Sequence, residues 1–384
     1  MPVGLLAGAF EPGSLGDEAV LEAFVRALPG WRLAVTTADR AAAARHGCEV
    51  VDAHRTADTA RWAARAEAVV VGGSSPFSIA DRRSGVHGRS PLVTTAALVT
   101  AASVLARPVA MVGVGTCRLP GVTARALARS IVRHTDLLVL RDEASVDELV
   151  RAGVPTPVRV GADPTWTLVA GSEPGRPEPA QRPSVIIAPS RSAAGAAGVH
   201  ALVASLADTV SRLSASGAHV LLQPWHVAEP AGTGDDLAVI DAVLSAAGRA
   251  GSRRAEVLPT PGSLPDAASS MAGAGAVVSF QFHPLVAASA SGVPWVAVSG
   301  EASVGALARR FGQRALPAGV GPAALADSVV AALDTPGPAP SAVRERIGRA
   351  EEGFRLLRVL LARGHSDEAD GLGALPLAPV PHAS

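Results

Sequence analysis

Residues 3–28 read VGLLAGAFEPGSLGDEAVLEAFVRAL, and this stretch decides the fold. An apolar run of strand length leads into a turn built on Gly13 and Gly16, and a helix-like segment follows from Asp17. A buried strand, a glycine turn and a helix make the opening unit of a parallel α/β sheet. The rhythm then repeats. Apolar runs RLAVTTA, EAVVVGG, PVAMVGVG, DLLVLRD and VRVGADP alternate with helical segments around Ala96–Leu105, TARALARSIVRHT and EASVDELVRAG.

The Pro- and Gly-rich segment GSEPGRPEPAQRP, Gly171 to Pro183, forbids a regular element and marks a boundary. Beyond it the alternation restarts with PSVIIAPS, a helix from about His200 to Ser214, HVLLQPW, the helix DDLAVIDAVLSA, AGAVVSF, a helix containing LVAASASG, and VPWVAVSG. The expected fold is therefore α/β, with two Rossmann-like doubly wound parallel-sheet domains facing a central cleft. The domains are placed at residues 1–172 and 184–335, joined by a linker at 173–183. An amphipathic helix at 340–364 and a disordered tail at 365–384 complete the chain.

The chain has 384 residues, enough for two ordinary domains. Acidic and basic residues number 34 each, which removes the positive field that a nucleic-acid or anionic-membrane partner requires and points to a small-molecule ligand. The basic side chains are all Arg, and Tyr is absent. Two cysteines, Cys48 and Cys117, make no disulfide framework and have no companions at metal-ligand spacing. The longest apolar region is broken by Arg107 and Pro108, short of the roughly 20 apolar residues a membrane helix needs. A cytoplasmic protein without an integral membrane segment is expected, and the composition leaves its oligomeric state open.

In open parallel sheets ligands collect beyond the carboxyl ends of the strands, so the informative residues are those that follow strands. In the turn Gly13–Glu18, Gly16 permits close backbone approach, and Asp17 either caps the helix or meets a sugar hydroxyl. Gly72, Gly73 and Ser74 end another strand and open room for a substrate. They lead into a loop with Asp81, Arg82, Arg83, His87 and Arg89, read either as an anion-closing or a merely solvated segment. Arg141 is placed to pair with a substrate anion or to be held by Asp142. Asp163, before Pro164, is a functional acid or a structural turn residue. In the second half Ser190 and Arg191, Gln223 and His226, and Gln281 and His283 follow three successive strands.

The order of these pieces resembles the polysaccharide pyruvyl transferase family. Gly13 to Glu18 is similar to the family's glycine-Asn-x-Gly-Asp-Glu pattern, with Ser14 in place of Asn. Gly72-Gly73-Ser74 resembles its Gly-Gly-Gly turn. Gly113 to Gly115 and Arg141-Asp142-Glu143-Ala144-Ser145 are similar to its G-x-G turn and R-D-x-x-S segment, and Asp163-Pro164 to its Asp-Pro. In the second half, Arg191 and the stretch AVVSFQFHPLVAASASGVPWVAVSG resemble the family's strand-end arginine and its Arg-x-His, small-residue helix and G-V-P strand. Gln281 stands where the family has Arg, and Gly300-Glu301-Ala302-Ser303 replaces a segment that usually carries Tyr-Asp-Pro-Lys.

The resemblance implies a GT-B-like enzyme that transfers a pyruvyl group from phosphoenolpyruvate to hydroxyls of a sugar or glycan precursor, with no cofactor or metal. It implies a donor side in the second domain, with Arg191 on the donor's phosphate or carboxylate and His283 protonating the methylene carbon or binding the departing phosphate. Asp17 or Asp163 on the acceptor side is the base. Arg141, Gly16, Gly72, Gly73, Ser74, Gln281 and Glu301 complete the substrate-binding set. Two other readings stay open: a GT-B-type glycosyltransferase using a nucleotide sugar, with Glu301 on the donor ribose, and a catalytically degenerate ligand-binding relative.

Overall fold

The structure, a computed structural model, describes residues 1–52, 55–73, 76–79, 90–154, 158–171, 183–227, 235–249 and 255–363. These residues form thirteen strands and thirteen α-helices. The strands are β1 (Val3–Phe10), β2 (Arg32–Thr37), β3 (Glu49–Val51), β4 (Ala68–Val71), β5 (Val109–Val114), β6 (Leu137–Leu140), β7 (Arg159–Val160), β8 (Ser184–Ala188), β9 (His219–Leu222), β10 (Ala255–Val257), β11 (Ala276–Ser279), β12 (Trp295–Val298) and β13 (Arg314–Leu316). The helices are α1 (Leu15–Ala27), α2 (Arg40–Arg45), α3 (Thr56–Arg65), α4 (Pro91–Val104), α5 (Gly121–Arg133), α6 (Glu143–Arg151), α7 (Gly198–Ala215), α8 (Asp236–Arg249), α9 (Leu264–Met271), α10 (Phe282–Ala290), α11 (Ala302–Phe311), α12 (Pro322–Leu333) and α13 (Pro340–Arg363).

Two parallel sheets result. The first has seven strands in the order β3-β2-β1-β4-β5-β6-β7, and the second has six in the order β10-β9-β8-β11-β12-β13. Both wind outward in two directions from a central pair, β1 with β4 and β8 with β11, as expected for doubly wound folds. The central strands are apolar on both faces because helices cover both: β4, β5, β6, β11 and β12 are buried along their whole length. Of the four edge strands, β3, β10 and β13 are short and partly exposed. They lack a continuous apolar run, which is why the sequence did not reveal them.

The chain divides into two compact units that do not follow its linear order. Unit 1 comprises residues 1–9, 24–164 and 349–384; unit 2 comprises residues 10–23 and 165–348. The expected domains at 1–172 and 184–335 differ from this division in three respects: residues 165–171 and the β1–α1 turn are grouped with the second unit, and the end of α13 with the first.

In unit 1 the core gathers Leu5, Val69, Val71, Met111, Ile131 and Leu140 between sheet and helices. Phe24 stacks edge-on against Phe354, ring centres 5.1 Å apart, a geometry that contributes about 0.5–1.5 kcal/mol beyond burial. In unit 2, Val185, Ile187, Val220, Leu222, Val278 and Val296 form the sheet side of the core. Trp295 lies fully buried there, its indole N–H donating to Ser289 Oγ at 2.9 Å. No helix among the described residues is long and apolar enough to cross a membrane.

Candidate functional site

The best-defined arrangement of polar side chains lies in unit 2, around the ends of β8, β9 and β11. β8 and β11 are the pair at which this sheet reverses direction, where open α/β folds bind their ligands. Two of the loops there are tied together by backbone. Leu15 N–H donates to Trp225 C=O at 3.0 Å and Val227 N–H to Gly13 C=O at 3.0 Å, which pairs Ser14 with His226 in an antiparallel bridge. His226 Nε2 lies 2.9 Å from the Pro12 carbonyl; since a carbonyl only accepts, that nitrogen carries the proton. The glycine turn is therefore fastened as a short extra strand along the β9–α8 loop.

This fastening sets Gly16 against His283. A Cβ on Gly16 would collide with His283 Nδ1 and fall 2.8 Å from Cγ and 2.9 Å from Cε1, so only glycine lets the imidazole lie on this backbone. Asp17 is the next residue. It is not the helix cap: Ser14 Oγ accepts the Asp17 N–H at 3.2 Å and caps α1, while the Asp17 carboxylate turns back to accept the Glu11 N–H at 3.1 Å. The residue keeps partial exposure, yet burial of its carboxyl is the dominant influence and pushes it up from 3.8 to about 6. The Glu11 N–H and the nearby His283 oppose that rise. A carboxylate with such a value is mostly ionised at neutral pH and close to its titration, as a general base should be.

A second acid, Asp236, is fully buried at the start of α8. Its Oδ1 accepts the Arg191 N–H at 3.2 Å. Its Oδ2 accepts the Trp225 and His226 N–H groups at 3.2 and 2.9 Å and the Gln281 side-chain amide at 3.2 Å. Burial raises its carboxyl above the ordinary value, and the Arg191, His226 and Trp225 N–H groups only partly oppose that rise. The Gln281 amide nitrogen also reaches the Pro189 carbonyl at 3.4 Å, so it is spent on two acceptors of the protein itself. Arg191 is half-exposed, and among the described residues its guanidinium makes no hydrogen bond or ion pair. Glu301, beyond β12, is exposed, and its Oε2 accepts the Ser303 hydroxyl at 3.3 Å.

The remaining predicted site residues lie in unit 1, and local packing explains several of them. Arg141 and Asp142 are both buried and paired, Nε to Oδ2 at 3.3 Å, and Asp142 Oδ1 caps α6 by accepting the Ser145 N–H at 2.7 Å. Arg141 lies so close to Gly115 that a Cβ there would be 2.6 Å from its Nε. Gly72 faces the Phe24 ring, within 2.5 Å of Cζ for an added Cβ, so the space beside this glycine is filled by the protein itself. Gly73 has φ +70, the left-handed region that favours glycine. Asp163 is buried and partnered. Ser74 and the loop carrying Asp81, Arg82, Arg83, His87 and Arg89 lie outside the described residues.

Of the predicted residues, the structure thus gathers Gly16, Asp17 and His283, and links Arg191 and Gln281 through Asp236; Glu301 follows β12 in the same unit. It groups Asp163 and Arg141 with unit 1. Asp236 itself was missed. The only sequence signal was the doubled acid Asp235-Asp236 at a helix start, which is ordinary there. Among the described residues no group of three or more His, Cys, Asp or Glu is arranged to hold a metal ion.

Residues 35–301 match the family model described as polysaccharide pyruvyl transferase. No curated protein matches the chain. Among solved structures the chain is similar to the UDP-GlcNAc 2-epimerase of Methanocaldococcus jannaschii in complex with UDP-GlcNAc and UDP. There the TM-score is 0.60 at 14% identity, over 94% of this chain and 100% of that one. It is also similar to the Neisseria meningitidis UDP-GlcNAc 2-epimerase bound to UDP-GlcNAc, with TM-score 0.58, 12% identity and 94% and 100% coverage. Anabaena Alr3699/HepE, in complex with UDP and glucose, gives TM-score 0.52, 14% identity and 93% and 97% coverage. At such identities the likeness is one of fold: a GT-B-like pair of Rossmann-type units.

Proposed function

The chain belongs to the polysaccharide pyruvyl transferase family, and from that premise we propose that it transfers a pyruvyl group from phosphoenolpyruvate to a sugar or glycan hydroxyl, with Asp17 and His283 as its proton-transfer pair. The observation that carries this reading is the His283 imidazole laid on the Gly16 backbone beside a carboxylate raised to about 6. Of the two acids considered as base, Asp17 is preferred to Asp163 because it shares a unit with His283 and interacts with it electrostatically.

In this scheme His283 gives a proton to the methylene carbon of the enol, and C2 becomes cationic. An acceptor hydroxyl adds to C2 and passes its proton to Asp17, so one proton is given and one taken. A second hydroxyl of the acceptor then displaces phosphate from C2, its proton leaving with the phosphate, and the ketal closes. Arg191, with its guanidinium uncommitted among the described residues, holds the phosphate or carboxylate. A positioned acid or base contributes about 10²–10⁴-fold. The expectation is phosphate release from phosphoenolpyruvate in the presence of a suitable glycoside, abolished in His283→Ala; unchanged turnover in that variant would remove His283 from the mechanism.

A second reading, transfer from a nucleotide sugar, is favoured by the state of Gln281 and Ser303. Where the family has cations, one amide nitrogen is occupied by Asp236 and Pro189 and one hydroxyl is donated to Glu301. Neither supplies charge to a phosphate. The Methanocaldococcus, Neisseria and Anabaena proteins of the same fold were solved with UDP or a UDP-sugar. Thermal-shift titration separates the two readings, because a ligand at 100 times its Kd stabilises by about 2.7 kcal/mol. Phosphoenolpyruvate raises the melting temperature under the first, UDP-glucose or UDP-GlcNAc under the second.

A further inference from the structure

We propose that Asp236 is a positioning residue that sets the Asp17–His283 pair by tying both of its supports to one buried carboxylate. An acid at a helix start ordinarily accepts hydrogen bonds from its own first turn. Here Asp235 does that, accepting the Leu237 N–H at 3.0 Å, and the bonds to Asp236 come from other segments.

One arm runs to the glycine turn that leads into α1 and Asp17. The Trp225 and His226 N–H groups bind Asp236 Oδ2, and the same two residues hold the glycine turn through the Trp225 carbonyl, the Ser14–His226 bridge and the contact from His226 to Pro12. The other arm runs to His283. Gln281 donates to Asp236 Oδ2, forms the N-cap of α10 and lies two residues before the imidazole. Arg191 is the third attachment, through its backbone. A fully buried carboxylate is costly to desolvate unless well paired; four donors from the ends of three strands offset that cost and leave its two oxygens no slack. Gln281 fits this role as an uncharged donor matched to the acid.

The proposal rests on the catalytic reading above, and its test separates the two. In the full chain with ¹⁵N-labelled histidine, Asp236→Asn presents an NH2 group to N–H donors on one side. The expectation is that the His283 and His226 imidazole signals shift while His219 and His134, elsewhere in the fold, stay in place, and that kcat for phosphate release falls at least tenfold with a smaller change in KM. A merely structural residue would lower the melting temperature and leave the His283 signals where they were; that result overturns the proposal. If Asp236→Asn does not fold, Gln281→Leu removes one arm only and is expected to move His283 but not His226; an unmoved His283 there is equally fatal. Should the wild type turn over no donor while His283 still shifts in Asp236→Asn, the transferase reading fails and the positioning role stands.

Discussion

Replacing Asp17 by Asn should stabilise unit 2 in a pH-dependent way. The Asp17 carboxyl has a folded value of about 6 against an ordinary 3.8, so the folded form takes the proton more readily than the unfolded chain. The stability associated with the neutral carboxyl is therefore present in full below about pH 4 and lost as the pH rises through 6. A gap of about 2 pK units at about 1.4 kcal/mol each sets a limit of about 3 kcal/mol lost above pH 7. At pH 4 the same linkage has removed only about 0.5 kcal/mol.

Asn stays neutral throughout. The stability of Asp17→Asn relative to wild type should therefore grow by about 1–2.5 kcal/mol between pH 4 and pH 7.5, the lower figures allowing for the residue's partial exposure. Urea unfolding followed by tryptophan fluorescence can be confined to unit 2. Trp166, Trp225 and Trp295 belong to it, and Trp31→Phe and Trp62→Phe remove the signals of unit 1. A stability difference that stays flat across this pH range would refute the account of Asp17 as a carboxyl raised by burial.

Gly16→Ala should push the imidazole of His283 off its seat, costing about 1–3 kcal/mol by overpacking and about a hundredfold or more in kcat, read by denaturation and by phosphate release. Gly72→Ala should lower the unfolding free energy of unit 1 by about 1–3 kcal/mol through its clash with Phe24; a neutral result would mean that ring has room to move. Asp142→Ala removes the cap of α6 and uncouples a buried guanidinium, so a loss of at least about 2 kcal/mol is expected in the melt of unit 1.

Legibility in the sequence followed how local each feature is. The central strands were plain, because burial on both faces writes an uninterrupted apolar run such as VVV at 69–71 or VIIA at 185–188. Three of the four edge strands, Glu49–Val51, Ala255–Val257 and Arg314–Leu316, carry charge or exposure and were silent. The glycine turn was visible as a turn; that Gly16 is needed to seat a histidine 267 positions further on was not, since no local pattern records that contact. Asp236 lay hidden for the same reason: its partners come from residues 191, 225, 226 and 281, while its neighbours in sequence suggest only a helix start.

The interleaved course of the chain also bears on how the protein must be made. Residues 349–363 of the last helix belong to the first unit, where Phe354 abuts Phe24 and Arg358 reaches the Ala27 carbonyl. That stretch is synthesised after residues 165–348, so the amino-terminal unit waits for the other to be made before its final wall arrives. Cutting the gene at a linear midpoint would produce two incomplete halves, one lacking its closing helix and the other the glycine turn. A faithful dissection of this protein requires circular permutation or the co-expression of both pieces.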